Sequence, residues 1–159
     1  MTASAEVLNL VIDAVDQPSA PLTFRISSVI RGQFEQLGNR LAGTPGLGLE
    51  RTIFDIQPME RRHAPFEISA PVRLERTITI VLPTGFRTSA RPVPERNVQN
   101  EFIRSSTIVE ALASGWRVNS MLYEPAQRRP AGDYNRYRAA LREAASSFQP
   151  RLVAERLGP

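Results

Sequence analysis

His63 is the sole imidazole of the chain, in Glu60-Arg61-Arg62-His63-Ala64-Pro65. A histidine can act as general base, but it needs a nucleophile within hydrogen-bond reach. No Gly-x-Ser-x-Gly elbow accompanies it, and its setting reads as a loop before a strand. Glycoside hydrolysis needs only two carboxylates. Asp13 with Asp16, and Glu60 with Glu67, are the candidate pairs. Each lies beside strand or turn signals, where such residues are commonly turn formers or solvated. Asp13 and Asp16 could hold calcium with loop carbonyls, yet they lack the regular oxygen spacing of an EF-hand loop. Gly43, Gly46 and Gly48 have the look of a phosphate cradle. Their spacing is Gly-x-x-Gly-x-Gly, they follow a predicted helix, and no lysine accompanies them. A dinucleotide loop needs a strand before it and a helix after it, so this segment reads as a helix-ending loop.

Composition narrows the chemistry further. The chain has 159 residues and no cysteine, and all 20 of its basic side chains are arginine. Without cysteine there is no thiol nucleophile and no thiolate metal site. Without lysine there is no Schiff base and no Walker-type phosphate loop. With one histidine, no site can rest on two imidazoles. The sequence therefore assigns no catalytic residue, no cofactor and no metal ligand. The net charge of +4 raises nucleic acid as a partner, but the arginines are scattered. Basic stripes for nucleic acid are denser. No apolar stretch reaches the length of a membrane-spanning helix.

The elements that must position any site follow from patterning. Residues 6–13 and 21–30 read as strands, with Asp16-Gln17-Pro18-Ser19 as a turn. Phe34, Leu37 and Leu41 fall at i, i+3 and i+7, which predicts a short helix over 31–42. Residues 49–57 and 66–70 are predicted strands. In 72–82, Val72, Leu74, Arg76, Ile78, Ile80 and Leu82 face one way, and Arg73, Glu75, Thr77, Thr79 and Val81 face the other. The β-branched run Thr77-Ile78-Thr79-Ile80-Val81 resists a helix. Residues 87–98 read as an extended loop. Residues 100–112 and 115–124 form a hairpin about Ala113-Ser114-Gly115. In its second arm Trp116, Val118, Ser120 and Leu122 share a face. Pro125 to Pro130 is a linker. Asp133 is placed to cap a helix over 134–148, which Pro150 ends. Tyr134, Tyr137, Leu141, Ala144 and Phe148 form its stripe. Such aromatics could stack on bases, but a stripe at this spacing packs a helix on a sheet, and Trp116 likewise reads as core. The tail 151–155 adds a short strand. The fold class is mainly β: an antiparallel β-sandwich with two short α-helices, about 31–42 and 134–148. Residues 5–157 read as a single domain, and 1–4 as a disordered start or cloning scar.

The order of these elements resembles a known arrangement. Pro65-Phe66-Glu67-Ile68 precedes a strand ending Ile78-Thr79-Ile80-Val81-Leu82-Pro83-Thr84-Gly85-Phe86. A hairpin follows, then a helix opening Asp133-Tyr134-Asn135-Arg136-Tyr137-Arg138. Arg31-Gly32 entering the predicted helix with Arg40 fits the same pattern. This is similar to the C-terminal β-rich domain of bacterial transglutaminase-like proteins, in which an N-terminal β-sandwich domain precedes a papain-like core. The resemblance spans about 6–156 and carries no catalytic signature. The core of that family holds a Cys-His-Asp triad, and this cysteine-free chain can match none of it. The resemblance thus implies a non-catalytic accessory domain that scaffolds or docks. Its implied partner is protein: a transglutaminase-like core or another domain of the same polypeptide. It implies an extracytoplasmic or membrane-associated setting in a Gram-negative bacterium. The docking surface expected is a sheet edge such as the 100–124 hairpin. A small carboxylate-based hydrolase or glycan-acting enzyme, and an arginine-rich nucleic-acid binder, are the alternatives.

Overall fold

A computed structural model describes residues 4–13, 23–46 and 62–158. The fold is mainly β, and every recorded strand pair in it is antiparallel. By internal contacts the chain divides into two compact units, Met1–Glu35 and Gln36–Pro159. The first holds β1 (Ser4–Asp13) paired with β2 (Thr23–Arg31). The register of this ribbon slips between Val7 and Asn9, a β-bulge. Leu8, Leu10 and Val29 on it are exposed.

The predicted helix over 31–42 does not form. The segment makes the end of β2, then β3 (Phe34–Leu37) and β4 (Arg40–Gly43). Gly32 and Gly38 have φ of 79° and 63°, left-handed values that interrupt any right-handed helix. Phe34 and Leu41 are half-buried while Leu37 is 53% exposed. The helical spacing therefore marks no common buried face. Gly43 consequently ends a strand rather than a helix, and Gly46 lies in the coil after it. Gly48, the predicted strand 49–57 and the predicted turn at 16–19 lie outside the described residues.

The larger unit is built on a four-stranded sheet. Its members are β6 (Val72–Val81), β8 (Arg96–Gln99), β9 (Arg104–Leu112) and β10 (Gly115–Glu124), in the order β6-β10-β9-β8. The 100–124 hairpin thus forms, but it is not an edge. β10 is flanked by β6 and β9, and β9 by β10 and β8. The predicted faces hold in β10 and, from Leu74 onward, in β6; Val72, expected on the inner row, is 41% exposed at the strand's start. In β10, Trp116, Val118, Ser120, Leu122 and Glu124 are buried while the residues between them are exposed. In β6, Leu74, Arg76, Ile78 and Ile80 are half-buried. A second sheet has the order β3-β4-β12-β7, with β7 spanning Phe86–Thr88 and β12 Leu152–Arg156. Leu152 and Ala154 of β12 are fully buried. The stretch taken as a linker holds β11 (Gln127–Arg129), which pairs with β5 (Phe66–Ile68). The loop taken over 87–98 likewise contains most of β7 and all but the last residue of β8.

Helix α1 (Tyr134–Ser147) follows a 3-10 turn over Ala131–Asp133. Asp133 makes no side-chain cap. Its backbone is already helical, at φ −79° and ψ −9°, which removes the extended geometry a capping side chain needs. Its carboxylate accepts instead from Arg136 Nη1 at 3.2 Å. The buried face of α1 is Tyr134, Tyr137, Ala140, Leu141 and Ala144, continued by Phe148. It packs into one core with Phe66, Phe102, Ile103 and Leu122. The C-terminus of α1 has no basic residue in its own last turn. The two outer strands of the sheet supply the donors. Arg76 Nη2 donates to the Phe148 carbonyl at 2.7 Å, and Arg96 Nη1 to that of Ser146 at 3.1 Å. Cations there complement the partial negative charge of a helix end and satisfy its last carbonyls. This explains the inward-facing Arg76 in an otherwise apolar row: its guanidinium also lies 5.1 Å from the Phe148 ring centroid.

Candidate functional site

The residues singled out for chemistry do not converge. His63 is exposed in coil before β5. Glu67 is exposed in β5, opposite Arg128. Asp13 ends β1 in the smaller unit, and Asp16 and Glu60 lie outside the described residues. Trp116, Tyr134, Tyr137 and Phe148 are core, exposed by 6% or less. The buried hydroxyls are bonded among themselves. Thr107 Oγ1 donates to Ser120 Oγ at 3.2 Å, and Ser105 Oγ and Ser147 Oγ lie 3.1 Å apart. Ser147 Oγ also donates to the Ala144 carbonyl at 2.7 Å. These hydroxyls tie β9 to β10 and to α1. Among the described residues no cluster of three or more metal-ligating side chains occurs. No described helix is long and apolar enough to cross a membrane.

What the structure does assemble is an aromatic cluster capped by arginines at the start of α1. Phe66 meets the Tyr134 ring edge-on at 5.6 Å and lies 5.0 Å from Tyr137. Phe102 meets Tyr137 edge-on at 5.9 Å. Arg62 stacks over Phe66 and Tyr134 at 5.7 and 5.1 Å. Arg129 and Arg136 lie over Phe102 at 5.1 and 5.6 Å. Both also pair with the Glu101 carboxylate, and Arg129 Nη2 donates to the Glu101 carbonyl at 3.0 Å. Arginine suits this role because its planar fork stacks and hydrogen-bonds at once. Here the arginine-only composition has a structural use.

Next to this cluster lies a buried acid. Glu124 ends β10 and is 6% exposed. The Tyr137 hydroxyl bonds its carboxyl group, while Oε1 has no hydrogen-bond partner. Burial pushes the Glu124 carboxyl above the usual carboxylate range, and the bond from Tyr137 pulls it partly back. The Tyr137 hydroxyl is raised too, by burial and then by its bond to Glu124. The signal for Glu124 was present in the sequence. It has the same parity as Trp116, Val118, Ser120 and Leu122, so a strand that long must turn it inward. A charged residue on an apolar parity row is the mark to look for.

The consequence for stability has a definite sign. A carboxyl whose folded value is raised contributes fully below its unfolded value and loses that contribution as pH rises through the folded value. Glu124→Gln keeps the shape and removes the titration. Relative to this variant, the wild type is expected to lose melting temperature as pH rises above the ordinary carboxylate range of about 4. Thermal denaturation of both proteins over that rise in pH checks it, and parallel curves would refute the assignment.

The opposite face of the four-stranded sheet is open. A shallow depression of about 200 Å³ is lined there by Glu75, Thr77, Ser106, Ile108, Asn119 and Met121, among others. Thr77 Oγ1 donates to Asn119 Oδ1 at 2.9 Å across it. Arg76 and Ser120, whose side chains serve the inner face, also border it.

No protein-family model matches the chain, and no curated protein sequence does. Its fold is similar to part of a solved structure, a candidate protease from Parabacteroides distasonis, with a TM-score of 0.55 and 14% sequence identity. The likeness covers 72% of this chain and 23% of that one. At that identity it is a likeness of fold, and this chain spans less than a quarter of the larger protein.

Proposed function

We propose that the chain is a non-catalytic accessory domain of a transglutaminase-like protein, one that docks to or orients a cysteine-bearing core. The observation that carries this reading is the fold likeness to a 23% portion of a much longer candidate protease. A module matching so small a share of such a chain leaves room for catalysis in the remainder. The absence of cysteine is consistent with that division of labour. The convergence of the aromatic stripe into a core, rather than into a cleft, supports a packing and presentation role.

The experiment has two arms. The purified chain is assayed against peptide, amide and oligosaccharide substrates, and no turnover is expected. It is then produced together with a transglutaminase-like core encoded beside it, and the two are expected to co-purify. Hydrolysis by the chain alone, or failure to associate with the core, would overturn the reading.

A further inference from the structure

We propose that the outer edge of β6 pairs with β6 of a second copy of this chain, about a two-fold axis at Thr79. Among the described residues, β6 pairs only with β10. On its other edge no described strand lies beside its backbone donors and acceptors. Native edges of this kind are blunted by shortness, proline, bulges or charge. β6 is ten residues long, has no proline and runs in unbroken register with β10 from Val72 to Val81. Its charges, on Arg73, Glu75 and Arg76, all fall in its first half. The second half, Thr77-Ile78-Thr79-Ile80-Val81, is uncharged and β-branched throughout, which suits a pleated pairing surface.

The same half also shows what covers it. Val81 is 72% exposed, and Ile78 and Ile80 are only half-buried. An antiparallel partner centred on Thr79 sets Ile78 opposite Ile80 of the other copy and Thr77 opposite its Val81. Thr79 meets Thr79. Every pair within the segment is apolar or hydroxylic, and no like charges oppose one another. The segment is thus complementary to itself, the condition for a closed two-fold contact. A five-residue pairing is small, so the dimer is weak and concentration-dependent. This inference is independent of the accessory-domain reading, because a monomer would leave that reading intact.

The cysteine-free chain makes the register directly measurable. Opposed residues in an antiparallel pair lie within disulfide reach. Thr79→Cys is expected to form a disulfide-linked dimer at least about tenfold faster than Asn119→Cys, an exposed control on the central strand β10. Thr79→Lys sets two cations face to face at the axis and should keep the protein monomeric. Sedimentation equilibrium of the whole chain should show wild-type mass rising toward the dimer with concentration, and that of Thr79→Lys unchanged. A wild type monomeric at every concentration would overturn the proposal. So would a dimer that persists in Thr79→Lys, or equal crosslinking at Thr79 and Asn119.

Discussion

Gly115→Ala is expected to destabilise the larger unit by about 3 kcal/mol. Gly115 opens β10 opposite Val81, immediately after the Ala113-Ser114 turn. A β-carbon built on it would lie 1.8 Å from the Ile80 carbonyl oxygen, 2.9 Å from the Ile80 carbonyl carbon and 3.3 Å from the Val81 Cα. All three atoms are backbone, so no side chain can swing away. Its φ of 154° lies outside the range that residues with a side chain ordinarily adopt. Alanine must therefore push β6 off β10 at the start of their ladder. Gly85→Ala is the control. Gly85 has φ of 87° and nothing within 4 Å of a built β-carbon, so only backbone strain applies, about 1–2 kcal/mol. Urea unfolding of the two variants separates close approach from conformational strain. Equal losses would mean that β6 and β10 are spaced further apart at Gly115.

Phe148→Ala should cost about 4 kcal/mol. Phe148 is fully buried, just past the last turn of α1, and belongs to the main core. Truncation leaves a cavity there and also removes the ring face on which Arg76 lies. The Arg76 bond to the Phe148 carbonyl engages the backbone and survives the change. The guanidinium then stands beside a void instead of a ring, a poorer place for a half-buried cation. Phe148→Leu preserves most of the apolar volume and should cost about 1.5 kcal/mol or less. With domains stable by roughly 5–15 kcal/mol in total, Phe148→Ala leaves little margin. Thermal and urea denaturation measure both variants. A loss below that of Phe148→Leu would place the ring outside the core.

These two sites differ in how far the sequence announced them. Phe148 stood on the stripe with Tyr134, Tyr137 and Leu141, and the 134–148 prediction placed it correctly. The glycine of Ala113-Ser114-Gly115 read only as part of a turn. Its function depends on how closely the Ile80 carbonyl approaches, and Ile80 lies far away along the chain. Arg76 was placed on the correct face without a reason for being there. The reason is the carbonyl end of α1, reached only after the chain has traversed five more strands and the helix.

What the sequence determined alone is the set of local choices. The β-branched run 77–81, the alternation through 116–124 and the 3.6-residue stripe of α1 each follow from chemistry within a few residues, and the mainly antiparallel β class follows from them. Tertiary structure decided everything that depends on who lies beside whom. The i, i+3, i+7 spacing of Phe34, Leu37 and Leu41 suited a helix, yet two left-handed glycines and partners in the second sheet made strands of that segment. The 115–124 strand became central and β6 an outer one, a matter of sheet order that no alternation pattern encodes. Glu124 became a buried acid because Tyr137 and the aromatic cluster closed over it. The division has one physical cause. Periodicity fixes which face of an element is apolar, but burial, edge exposure and charge state are set by contacts between residues distant in sequence.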